Sequence, residues 1–96
     1  MSYFVVIRER GLAWDDAQPM REQEGWDDHA AFMDALADEG FIHLGGPLGE
    51  GDRRFLHIVD AASVEVIRER LAADPWEARQ LATVDIEPWQ VLLRSP

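Results

Sequence analysis

The chain contains no cysteine and no lysine. Without cysteine there is no disulfide framework, no thiolate zinc site and no cysteine nucleophile. Without lysine there is no Schiff-base chemistry. All nine basic residues are arginine, and they face 19 acidic ones, for a formal net charge of −10. Such a chain repels a phosphate backbone, so nucleic acid is not an expected partner. Long apolar runs are missing too, and nothing approaches the roughly 20 residues that cross a bilayer. The opening MSYFVVIRERG has neither a basic lead nor a small-residue cleavage site, so it is not read as a signal peptide. These absences predict a cytoplasmic protein with no membrane association.

What is present suits a single domain over 1–96: 96 residues, of which 47% are apolar, enough for a small core. YFVVI (3–7) reads as a strand. Residues 9–24 are polar, lack a period and carry Gly11 and Pro19, so they read as a long loop and a candidate lid. WDDHAAFMDALADE (26–39) reads as an amphipathic helix, with Asp27 and Asp28 at its positive end and Gly40 as its C-terminal cap. FIHLGGPL (41–48), bent or ended by Gly45, Gly46 and Pro47, and RRFLHIVD (53–60) read as a hairpin around GEGD. SVEVIRERLAAD (63–74) is a second helix capped by Ser63, PWEARQL (75–81) a short helical piece, and TVDIEPWQVLL (83–93) the last strand.

The order β-α-β-β-α-β predicts an α+β, ferredoxin-like four-stranded antiparallel sheet with both helices on one face. Its strands are apolar on both parities: Tyr3, Val5 and Ile7 alternate with Phe4 and Val6, and Phe55, His57 and Val59 with Leu56 and Ile58. A sheet open to water on one side alternates with polar residues. The bare face is therefore expected to bury itself in a homodimer. A monomer with a few exposed apolar side chains is the simpler alternative.

This topology gathers chemistry at one end. The start of the first helix, the end of the second, the long loop and the hairpin turn at GEGD all meet there. His29 lies on the apolar stripe of Phe32, Met33 and Leu36, and Asp74 closes the second helix. An Asp bonded to one imidazole nitrogen fixes the tautomer and makes the other nitrogen a competent general base. Arg8, Arg53 and Arg54 are candidates to hold a substrate carboxylate, and Trp14 and Trp26 to wall the site. Bland readings stand beside these. His29 also fits a packing histidine. Asp74 in DPWE also fits the N-cap of a following helix. His43 and His57 face each other if the hairpin turns at Glu50, but two histidines without a third ligand make a weak metal site, so no metal is expected. GGPLGEG lacks the following helix that a phosphate cradle needs.

WDDHAAFMDAL, then GFIHLGGPL, a strand, and LAADPW, together resemble the YCII-related (YciI-like) family over nearly the whole chain. The resemblance implies a dimeric α+β barrel and a His–Asp active site, whose matching positions are His29 and Asp74. Related barrels include isomerases, oxygenases and a dehalogenase. The 9–24 loop exceeds that of the shortest family members, so it is expected to reshape or cover the pocket. The expectation is a cofactor-independent enzyme using His29 and Asp74 for acid–base chemistry on a small, anionic or partly apolar organic acid, by isomerisation, lactone or dienol chemistry, or halide elimination. The alternative is a non-catalytic dimeric module that binds a small ligand or regulates a partner.

Overall fold

Alternation in YFVVIRER sets the first strand and decides what the sheet covers. In the computed structural model, which describes residues 2–96, β1 runs Tyr3–Arg10. Phe4, Val6 and Arg8 turn inward and are buried, while Tyr3, Val5 and Ile7 are half-buried on the other face. β2 (Ile42–Leu48), β3 (Arg54–Asp60) and β4 (Leu81–Trp89) complete a sheet of order β2-β3-β1-β4, with every pair antiparallel. α1 (Trp26–Asp38) and α2 (Val64–Leu71) lie between strands in the chain and pack on the same face. Leu36 of α1 and Ile67 and Leu71 of α2 share one cluster with Phe4, Val6 and Val59. The fold is the expected ferredoxin-like βαββαβ.

Local chemistry fixes the ends. Gly40 follows α1 with φ of 81°, and the amides of Gly40 and Phe41 bond back to Ala37 and Leu36. This is the paired closure that a left-handed glycine permits. α2 begins at Ser63, whose hydroxyl accepts from the Val66 amide at 3.2 Å. Ile67, Val6 and Val59 are fully enclosed. Each such side chain is worth about 1.5–3 kcal/mol of burial.

Four boundaries differ from those read in the sequence. β1 continues through Arg8 to Arg10, because β3 and β4 flank it and supply partners that local propensity ignores. Residues 75–80 are turns, not a helix: Ala78 has φ of 61°, and the Leu81 amide bonds to Trp76 O at 3.0 Å. Glu77, expected to close a capping box on Asp74, instead turns to Arg8 and to the amide of Thr83. β4 therefore starts at Leu81 and ends at Trp89, two residues earlier and four residues earlier than 83–93. Finally, β2 runs through Gly45, Gly46 and Pro47 without a break. β2 is an edge strand, where proline is tolerated.

The first loop is held at many points. Gly11 and Ala13 bond through their amides to Gln80 and Arg79. The buried Gln23 side chain donates to Asp15 and Gln18 carbonyls and accepts from the Asp15 amide. A single 3-10 turn, Met20–Glu22, interrupts the loop. Among the described residues no helix is long and apolar enough to cross a membrane.

Candidate active site

α1 enters through Gly25, whose φ of 79° turns the chain so that the first helical residues face the sheet. That glycine also makes room: a Cβ there would press on the Trp76 indole nitrogen at 3.3 Å. One turn into the helix, the His29 ring lies flat on Trp76, with centroids 4.1 Å apart and planes 8° from parallel. Trp76 is itself pinned by its indole N–H, which donates to Glu24 O at 2.8 Å.

The chain leaves α2 and immediately presents Asp74. Its Oδ1 accepts from the Trp76 amide at 2.9 Å, a local turn bond that sets the carboxylate's direction. The same oxygen meets His29 Nδ1 at 2.8 Å. Oδ2 meets Arg8 Nη1 at 2.8 Å. Thus α1, the end of α2 and β1 converge on one buried carboxylate. Burial alone would push the Asp74 carboxyl up; the His29 and Trp76 hydrogen bonds and the Arg8 guanidinium outweigh it and hold it below the ordinary carboxylate range. An ionised carboxylate only accepts, so Nδ1 of His29 carries the hydrogen and a neutral ring keeps its lone pair on Nε2. Nε2 makes no hydrogen bond among the described residues, and His29 borders a cavity of about 350 Å³. That volume falls in the range of small-molecule sites.

The sequence-derived candidates divide here. His29 and Asp74, 45 positions apart, are in contact. Trp26 lines the cavity. Arg8 does not: it is fully enclosed, with Nη1 on Asp74 and Nη2 on Glu77 at 3.0 Å. Its position on β1 was read at the right end of the sheet, but the inward parity of residue 8 takes it beneath the site. Trp14 is buried against Phe55 and Trp76 and is not a cavity wall. Arg53 and Arg54 are exposed beside the β2–β3 turn and do not reach the cavity.

Three lining residues escaped the sequence reading as parts of a site. Arg21, in the first loop, stands at the cavity with its guanidinium 5.8 Å from the Trp26 ring centre. Met20 beside it also borders the space. Nothing in that aperiodic stretch marks which residue turns inward. His57 is the third, and its parity with Phe55 and Val59 was the available signal. The register pairs His57 with Gly45, because the hairpin turns about Gly51 rather than Glu50. The two histidines are therefore not cross-strand partners. Among the described residues no group of three or more His, Asp or Glu side chains is placed to hold a metal ion.

No protein-family model matches the chain, and no curated protein matches it. Among solved structures, it is similar to 5-chloro-2-hydroxyhydroquinone dehydrochlorinase (TftG) from Burkholderia phenoliruptrix in complex with 2,5-dihydroxybenzoquinone. The TM-score is 0.59 at 24% identity, over 92% of this chain and 93% of that one. The likeness is one of fold.

Proposed function

We propose that this protein is a cofactor-independent enzyme in which His29 Nε2 moves a proton on a small cyclic or acidic substrate, with Asp74 orienting the ring. The observation that carries this reading is the buried 2.8 Å contact between His29 Nδ1 and Asp74, on a ring stacked against Trp76 at a cavity wall. Stacking and hydrogen bond together leave the imidazole no freedom to turn, which is the preorganisation a general base requires. Asp74 balances the positive charge that forms on the ring, and Arg8 keeps Asp74 ionised. Arg21 is the cation at the cavity available to an acidic substrate. TftG, of the same fold, is a dehydrochlorinase found with a dihydroxylated quinone. Elimination begun by proton abstraction from a hydroxylated ring is thus the reaction class that fits best. Membership of the YciI-like family and a cytoplasmic location belong to the same reading.

The test is chloride release from 5-chloro-2-hydroxyhydroquinone, alongside a panel of small carboxylic acids, by the wild-type protein and by His29→Ala and Asp74→Asn. Loss of a positioned acid–base group lowers turnover by about 10²–10⁴-fold. Turnover that survives both substitutions overturns the proposal.

The proposed assembly is a homodimer through the outer sheet face. Val5, Ile7, Leu56 and Ile58 form its centre, with Leu44 beside them 70% exposed. Ile58→Glu is expected to give a monomer by sedimentation, and an unchanged sedimentation coefficient would refute this interface. A second reading, a non-catalytic binding module, is favoured by the way Asp74 joins three elements. It predicts that His29→Ala costs several kcal/mol of stability while ligand affinity persists.

A further inference from the structure

Arg8, Arg53 and Arg54, expected to grip a carboxylate, do not line the cavity; Arg21 does, from the first loop, and His57 lines it from the sheet. We propose that His57 is the specificity-determining residue of the cavity, hydrogen-bonding an uncharged hydroxyl or keto oxygen on a small planar ring. This rests on the reading of the cavity as a small-molecule site.

His57 stands on the helix-facing side of β3 and is 7% exposed. Neither ring nitrogen has a hydrogen-bond partner among the described residues, and both are closed off from solvent. More than nine in ten buried polar groups in native proteins are paired, so an imidazole with two orphaned nitrogens calls for a reason. Across the strand pair stands Gly45, where any Cβ would collide with His57 Nδ1. Glycine keeps the space into which the ring turns about its Cβ–Cγ bond, a broad and soft torsion. Such a turn brings a nitrogen to a ligand.

Burial, with the Arg8 guanidinium and His29 nearby, lowers the His57 pKa to about 4, so the ring is neutral near pH 7. A neutral imidazole offers one donor and one acceptor, which a hydroxyl satisfies in either sense and a keto oxygen satisfies as acceptor. It offers a carboxylate no charge to offset desolvation. Trp26 and Trp76 border the same space and suit a flat ring.

Phenol and toluene differ by a hydroxyl for a methyl, and both can be titrated by amide NMR. Binding is read at Trp26 and His29. His57→Phe is expected to weaken phenol about tenfold and leave toluene within about twofold. His57→Gln, which keeps a donor and an acceptor, is expected to recover part of the phenol affinity. In ¹⁵N-histidine-labelled wild-type protein, the His57 ring nitrogens should shift with phenol and stay with toluene, a readout independent of how the variants fold. Equal weakening of both ligands in His57→Phe, or unmoved His57 nitrogens with phenol bound, overturns the assignment while leaving the cavity reading intact. If neither ring binds wild-type protein at this cavity, the cavity reading fails and this inference with it.

Discussion

The two ends of the space between helices and sheet are built from different chemistry. At one end Phe4, Val6, Val59, Leu36, Ile67 and Leu71 make an apolar cluster. At the other, Trp14, Phe55, Trp76 and Leu81 surround Arg8, His29, His57 and Asp74, all buried. Apolar burial is sufficient to hold two short helices on a sheet, as the first end demonstrates. Buried ionic groups are a poor route to stability, because desolvation consumes most of the Coulomb gain. The second end therefore spends stability on geometry. The lesson is that one strand serves both purposes: β1 supplies Phe4 and Val6 to the first cluster and Arg8 to the second.

Arg8→Ala should show the largest effect. It leaves Asp74 and Glu77 without their shared cation and is expected to cost about 3–5 kcal/mol in denaturant unfolding. A cost below about 1 kcal/mol would mean that the two ends are energetically alike.

Acid separates the ends next. His57 is held neutral with a pKa of about 4 against 6.5 for a free histidine, so between those values the unfolded chain binds a proton that the folded one does not. Stability is present above about pH 6.5 and falls as pH drops toward 4, by about 3 kcal/mol in total. Asp74 has the same sign lower down: its depressed pKa gives stability that is lost as pH falls through the folded value. His57→Phe should flatten the upper part of this profile. An unchanged slope between pH 6.5 and 4 would assign it to other groups.

Ile67→Val, in the apolar end, should cost the least, about 1 kcal/mol, with the same value at pH 5 and pH 8. A pH-dependent cost there would show that the two ends are coupled rather than separate.

The apolar end was legible in the sequence almost entirely. Period-3.6 patterning names its helical members, strand parity groups Phe4 with Val6, and Ser63 and Gly40 mark helix boundaries by local chemistry alone. The meeting of His29 and Asp74 was legible too, because it follows from chain direction. The remainder was not, for identifiable reasons. Asp-Pro-Trp-Glu has the composition of a helix start, yet Glu77 finds a better partner in Arg8, a tertiary contact outside any local window. Arg8 looked like a strand-end cation because nothing nearby in sequence announces the carboxylates that neutralise it. The His57–Gly45 register depends on the hairpin turning about Gly51 rather than Glu50, and a one-residue shift of the turn is invisible to composition.

Ile7 and Arg8 are consecutive, one facing out and the other in, and the β1–β4 register slips between them. Any body that presses on the outside of the sheet at Ile7 is a single peptide unit away from the guanidinium under Asp74. If the proposed dimer forms on that face, its contact at Ile7 and the electrostatic setting of His29 share one peptide unit, and Ile58→Glu should announce itself in the magnetic resonances of the His29 ring.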